Sequence, residues 1–242
     1  MKNIHGWWLP DTEKSLIEQI STHSLKNRGF DYQTEQRDYS LCLSLKYDSS
    51  RRITAIDIGG HVGLWACDIS QRFEKVISFE PIKEHRECFK RNIKDRDIKN
   101  IQIMPYALGS TEKDVTLDIA GGETHVKTHK KTEGEIVKMK TLDSFNLEEV
   151  HYIKVDTEGY ELEVLKGAQL TIKKWKPIII LENKDKHSIR YKSNSEKIHE
   201  FLYSLGYIVE HSINSEVIFV DPTIKKKPRF EYDEYSSSNY SK

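Results

Sequence analysis

IDIGGHVGLW (Ile56–Trp65) and the SFEP (Ser78–Pro81) that follows it read as a buried strand ending in an acid, a glycine turn that opens a helix, and a second strand ending in another acid. Asp57 and Glu80 are then expected at the tips of neighbouring strands, across a glycine-lined gap. Gly59, Gly60 and Gly63 let the backbone turn sharply and approach a ligand closely. Glu80 stands near the spacing from Asp57 at which an acid receives the ribose hydroxyls of a nucleoside cofactor. The pattern is D-x-G-G-x-x-G, not the dinucleotide G-x-G-x-x-G. Between Asp57 and Gln71 there is no Lys or Arg, only His61, and Asp68 adds a negative charge. A helix N-terminus alone can hold a pyrophosphate, which leaves NAD open. An acid beside the turn suits a cation better, such as the ammonium and sulfonium of S-adenosylmethionine.

Outward from this unit, strands and helices alternate. Strands are expected at Ile53–Ile58, Val76–Phe79, Ile101–Met104, Tyr152–Val155 and Ile178–Leu181, the last all apolar as a strand buried on both faces should be. Helical three-four spacing runs through Val62, Trp65, Ala66, Ile69 and Phe73, then Ile82, Phe89 and Ile93. It recurs at Leu162, Leu165, Ala168 and Ile172, a single helix ending before Pro177, and at Ile198, Phe201, Leu202 and Leu205. Tyr207–Val209 and Val217–Val220 read as a closing hairpin. Two shorter strands, Val115–Ile119 and Glu135–Met139, flank a polar loop with Gly121, Gly122, His125 and His129. That loop is expected on the acceptor side of the cleft, because its glycines and threonines argue against a helical metal pair.

This order predicts an α/β fold with a mostly parallel, doubly wound seven-stranded sheet and an antiparallel C-terminal edge. Residues 51–221 form that domain. Residues 1–50 are read as a helical segment, with helices between about Asp11 and Lys46 broken near Arg28 and Gly29. Residues 222–242 form a disordered tail.

The chain has 242 residues, enough for one α/β domain with a full core. Its 38 basic and 38 acidic residues balance, so no overall field draws it to nucleic acid or anionic lipid. No window is long and apolar enough to span a bilayer, and the N-terminus lacks a secretory signal. Cys42, Cys67 and Cys88 match neither a disulfide framework nor a zinc site, and read as reduced thiols of a cytoplasmic protein.

IDIGGHVGLW, FEP, ALGS (Ala107–Ser110), TLDSF (Thr141–Phe145) and IKVDTEGYELEVLKGA (Ile153–Ala168), followed by KPIIILE, resemble the FkbM-type methyltransferases. The resemblance covers about Ile53–Val220 and implies the Rossmann-like class I methyltransferase fold with S-adenosylmethionine as cofactor. It implies that Asp57, Gly59 and Gly63 line the methionine and ribose, Glu80 holds the ribose hydroxyls, and Tyr106, Ala107 and Leu108 border the adenine. Gly60, His61, Pro81 and Asp156 join that cofactor-binding set. His61 stands where the family usually has Asn, and either takes over its contact or caps the helix.

A second acidic group follows. Asp156 and Glu182 end adjacent strands and should face one cleft beside the transferable methyl, with Glu158 in the turn and Glu161 opening the next helix as a first-turn acid. Lys154 is expected to point to the surface. Asn183, Lys184 and His187 lie just beyond Glu182. Methyl transfer to oxygen needs an aligned acceptor and removal of its proton, and Asp156, Glu182 and His187 are the candidate bases. Asp156, Glu182 and Asn183 could instead present oxygens to Mg²⁺. The metal-free base is favoured, because these residues lack a tight ligand spacing.

The leading expectation is an O-methyltransferase acting on a hydroxyl of a sugar or other small polar acceptor. An NAD-dependent reductase or epimerase should carry G-x-G-x-x-G and a Tyr-x-x-x-Lys, and neither stands in a fitting context. A nucleic-acid methyltransferase should carry a wide basic patch and, for base amines, an Asn-Pro-Pro-Tyr motif. Neither is present, the densest basic run, Lys225–Lys227 with Arg229, being in the tail. For ribose 2′-oxygen, Asp156 and Glu182 could serve as the acids of a Lys-Asp-Lys-Glu arrangement. A non-catalytic binding module is the fourth reading.

Overall fold

The structure is a computed structural model that describes residues 1–14, 16–17, 34–46, 51–120, 123–126, 134–182, 188–191 and 193–224. A β-hairpin of β1 (Lys2–Ile4) and β2 (Trp7–Leu9) comes first, then helix α1 (Thr34–Leu45). The alternating region runs β3 (Thr54–Ile58), α2 (Leu64–Ile69), β4 (Lys75–Phe79), α3 (Lys83–Asp95) and β5 (Ile101–Met104). Four strands follow: β6 (Ala107–Leu108), β7 (Lys113–Ala120), β8 (Glu123–Val126) and β9 (Glu135–Lys140). The chain then returns through β10 (Val150–Val155), α4 (Glu161–Lys166), α5 (Gln169–Trp175), β11 (Ile178–Glu182), α6 (Ser195–Ser204), β12 (Ile208–Ile213) and β13 (Glu216–Val220).

The main sheet has seven strands in the order β12-β13-β11-β10-β3-β4-β5. Strands β11, β10, β3, β4 and β5 are mutually parallel, and β13 runs antiparallel between β11 and β12. Both faces are covered, because alternate residues of a strand point to opposite sides. Ile56, Ile58, Ile179 and Leu181 pack with Leu162, Leu165, Ile172, Ile198 and Leu202 of the helices on one face. Ala55, Tyr152, Ile178 and Ile180 pack with Trp65, Ala66, Ile69, Phe89 and Leu41 on the other. Strand order reverses direction between β3 and β10, and in open α/β sheets that switch point, beyond the strands' carboxyl ends, is where ligands bind.

Several local expectations are corrected. The strands expected at Val115–Ile119 and Glu135–Met139, which stood outside the expected seven-stranded order, belong to a separate four-stranded sheet, β6-β9-β7-β8. His125 falls on β8, while Gly121, Gly122 and His129 lie outside the described residues. The helix expected through Leu162–Ile172 is two helices. A Cβ on Gly167 would lie 2.0 Å from the Gly109 carbonyl oxygen, so the chain passes β6 too closely for a side chain there. Asp143 then caps the second helix from across the fold, its carboxylate accepting from the Leu170 and Thr171 amides at 2.9 and 2.8 Å.

Residues 1–50 are not wholly helical. His5 and Gly6 both take positive φ (48° and 84°), which suits the two-residue turn of a hairpin. The expected break at Gly29 and the tail from residue 225 onward lie outside the described residues. Among the described residues, no helix is long and apolar enough to cross a membrane.

Candidate active site

The glycine loop leaves β3 beneath the end of β10. The Gly59 and Gly60 amides both donate to the Phe79 carbonyl, at 3.0 and 3.2 Å, which ties the loop to β4. Gly59 has φ +83°, and a Cβ there would lie 1.8 Å from the Asp156 carbonyl oxygen. A Cβ on Gly60 would meet Ser78 Oγ at 2.0 Å, and one on Gly63 would meet the Phe89 ring at 2.3 Å. The glycines therefore serve close packing as well as ligand approach.

Asp57 is completely buried, so it supports the loop from beneath rather than from the rim of a gap. Its Oδ2 accepts from Ser78 Oγ at 2.8 Å, whereas its Oδ1 is buried without a hydrogen-bond partner. Burial pushes its carboxyl above the usual range, against the opposing pull of Lys154 and Ser78. Glu80, 4% exposed, follows β4 and is engaged on both oxygens. Oε2 accepts from the His61 amide at 2.8 Å, and Oε1 from the Ile82 amide at 2.8 Å. His85 Nδ1 stands 3.3 Å from the same Oε1. Burial pushes Glu80 up, but the His85 contact, the two imidazoles and the Ile82 amide outweigh it and hold the carboxyl below its ordinary value.

Pro81 is half-buried, its carbonyl taken by Arg86. Ala107 packs in one cluster with Ile82, beside the Glu80 turn, while the Leu108 side chain points into the main core. Tyr106 is half-buried against Phe145, with ring centroids 5.6 Å apart. Asp68 does not contribute to the pocket. It pairs with Arg37 of α1.

Across the switch point, Asp156 follows β10, and its amide donates to the Ile58 carbonyl at 3.0 Å. Asp156, Glu158 and Glu182 each bring an oxygen within 4.8 Å of the others. The structure thus joins Asp156 with Glu182, as the strand order requires, and adds Glu158, which the turn presents at φ 54°. His187, Asn183 and Lys184 lie outside the described residues.

Lys154, expected at the surface, is 2% exposed. It sits in register with Asp57, its Nζ 3.0 Å from Asp156 Oδ2 and 5.3 Å from the Trp65 ring centre. The cation that the glycine turn lacks is therefore supplied from a strand nearly a hundred residues later. Its signal was a lysine inside a strand expected to be buried, Tyr152–Val155. His85 and Glu13, treated below, carried no such signal.

Glu161 is no simple first-turn acid. It is 1% exposed, and its Oε1 accepts from the Thr157 amide (3.0 Å), Thr157 Oγ1 (3.1 Å) and the Gly159 amide (3.0 Å). It thereby clamps the turn that carries Asp156 and Glu158. Burial pushes its carboxyl up to about 7 from 4.5, despite those bonds. Between those two values the folded protein holds a proton that the unfolded chain has released, so stability falls as pH rises through that window. Urea unfolding should show wild type losing at most about 3 kcal/mol relative to Glu161→Gln from pH 4.5 to 7. Parallel pH profiles would assign that titration elsewhere.

The family model described as methyltransferase FkbM domain matches residues 57–209. Hexuronic acid methyltransferase AglP of Haloferax volcanii is 34% identical over 122 residues, 46% of this chain and 48% of that protein. Methyltransferase 1 of Beauveria bassiana is 25% identical over 141 residues, 46% of this chain and 57% of that one. The chain thus spans about half the length of these curated relatives. Methyltransferase FkbM from Methylobacillus flagellatus superposes with TM-score 0.50 at 15% identity, covering 85% of this chain and 59% of that one. A structure described as a putative caffeoyl-CoA O-methyltransferase from Staphylococcus aureus superposes with TM-score 0.53 at 11% identity, covering 86% of this chain and 93% of that one. These two likenesses are of fold. The match over residues 57–209 takes in the glycine loop, Glu80 and the whole second acidic group, and by it the chain belongs to the FkbM methyltransferase family.

Proposed function

We propose that the chain is an S-adenosylmethionine-dependent O-methyltransferase acting on a hydroxyl of a sugar or another small polar molecule. The observation that carries this reading is the gathering of two acidic sets at the carboxyl ends of four adjacent strands. Asp57 and Glu80 flank the glycine loop, and Asp156, Glu158 and Glu182 stand together on the other side. The residues fit the cofactor. The unpartnered Asp57 Oδ1 sets a negative potential under a loop that carries no side chains at Gly59, Gly60 and Gly63, which favours the cofactor's ammonium. Glu80 is kept ionised to receive the ribose hydroxyls, and the Tyr106–Leu108 stretch borders the adenine. When bound, the cofactor would supply a methyl activated by its sulfonium, with a neutral thioether as the leaving group.

The chain's own residues then align the acceptor and take its proton. Asp156 would take the acceptor hydroxyl's proton, and Lys154 fixes its orientation through Oδ2. Glu182 and Glu158 receive the acceptor's other hydroxyls. A metal-free reaction is favoured because the Lys154 ammonium already offsets one of the three carboxylates. A carbohydrate acceptor draws support from the relative named for hexuronic acid.

Calorimetry should show binding of S-adenosylhomocysteine and none of NADH. Glu80→Gln should weaken that binding by about 10–100-fold, the worth of losing charge-assisted bonds. Labelled methyl transfer to a panel that sets neutral hexoses beside hexuronic acids would identify the acceptor, with turnover retained in chelator. Binding of NADH in place of S-adenosylhomocysteine would sink the proposal.

A further inference from the structure

The N-terminal segment precedes the family match, yet it reaches the cofactor loop through two buried links. The first is Asn92 on α3, fully buried. Its Oδ1 accepts from the Trp8 amide at 2.7 Å, and its Nδ2 donates to the Trp8 carbonyl at 3.0 Å and to the Val62 carbonyl, inside the glycine loop, at 2.9 Å. Around that link, the Arg96 guanidinium lies 3.5 Å from the Trp7 ring centre and that of Arg91 4.5 Å from Trp8. Leu9 and Leu16 share an apolar cluster with Val62, Leu64 and Cys88.

The second link is Glu13, 2% exposed. Its Oε1 accepts from the Leu16 amide at 2.9 Å, and its Oε2 stands 3.4 Å from His61 Nε2, an electrostatic contact rather than a well-formed hydrogen bond. Burial pushes Glu13 up, but His61, the Leu16 amide and His85 together hold its carboxyl below the ordinary value. The His61 ring meets the His85 ring edge-on at 4.3 Å, and the His61 amide donates to Glu80. Two carboxylates, Glu13 and Glu80, therefore bracket two imidazoles. His61 is held at φ 47°, a conformation that costs a non-glycine residue about 1 kcal/mol and persists only where its surroundings fix it.

We propose that the segment carrying β1, β2 and Glu13 is a working part of the cofactor site, with Glu13 a positioning residue that holds His61, and through it Glu80, in place for the ribose. The rigidity of the loop follows from contacts described above, while the identity of the ribose ligand rests on the function proposed in the preceding subsection. The reason for a clamp is entropic. A short loop with several residues at positive φ relaxes unless anchored from outside, and a relaxed loop must be ordered again on binding.

Glu13→Gln keeps the shape and the oxygen that receives the Leu16 amide, and removes the charge facing His61. In the full-length chain it should raise the Kd for S-adenosylhomocysteine and the KM for the methyl donor about tenfold. The kcat at saturating donor and the KM for the acceptor should hold, which simple loss of folded protein would not produce. The double variant Glu13→Gln with His61→Ala should bind within about twofold of His61→Ala alone, because the two act as one unit. Without any ligand, amide exchange across residues 59–63 should accelerate in Glu13→Gln. Unchanged exchange, or losses that multiply in the double variant, would overturn the clamp. A wild type that binds no S-adenosylhomocysteine would remove the methyl-transfer reading, while the exchange measurement still decides the clamp.

Discussion

Asp156→Asn is expected to lower kcat by about 10²–10⁴-fold, the usual contribution of a general base. Three observations single out Asp156. Its amide is pinned to β3 through the Ile58 carbonyl, its Oδ2 is oriented by Lys154, and it is more accessible than Glu182, with 17% of its side chain exposed. Glu182 is 5% exposed at the end of β11 and suits a contact role, so Glu182→Gln should cost less than Asp156→Asn. Asn is nearly isosteric, but it leaves the Lys154 charge without its carboxylate, which destabilises a buried pair. The kinetics therefore belong with a melting curve showing the variant folded at assay temperature. If Glu182→Gln suffers the larger loss, the base is Glu182. If neither variant loses more than about tenfold, alignment alone drives the reaction.

Gly59→Ala is expected to destabilise the fold by about 2–5 kcal/mol, combining left-handed strain with overpacking. The new Cβ would enter at 1.8 Å from the Asp156 carbonyl oxygen, and that atom cannot recede easily. The Asp156 amide is itself bonded to Ile58, so moving it would separate β3 from β10 at the switch point. Gly6→Ala is the matched control. Gly6 has φ +84°, but nothing lies within 4 Å of its Cβ direction, so it should cost about 1–2 kcal/mol of conformational strain and no more. Urea midpoints for the two variants separate steric conflict from backbone preference. Equal losses would mean that the loop moves away from β10 readily.

The alternation of strands and helices was legible because each carries its own period. Ile56 and Ile58 against Ala55, or the unbroken Ile178–Leu181 run, state which faces are buried before any partner is known. The same local logic placed Glu80 and Asp156 just beyond their strands. It failed where a residue's surroundings come from elsewhere in the chain. The helix through Leu162–Ile172 looked continuous because nothing in it announces that Gly167 must pass within contact of Gly109. Asp68 looked like a pocket charge until Arg37, far upstream, was seen to pair with it.

The glycine turn, the two strand-end acids and the VDTEGYE block by themselves determined the α/β fold, the family and the general position of the site. Those features are local, written in spacing and in residues that a sharp turn demands. Tertiary structure decided what each acid can do. It buried Asp57 beneath the loop and gave Glu80 its imidazole partner. It brought Lys154 against Asp156, turned Glu161 into the clamp of the turn that carries Asp156 and Glu158, and seated Glu13 behind His61. The physical reason is that a charge in a low-dielectric interior is governed by the few groups within contact distance. In this chain those groups come from segments that only folding brings together.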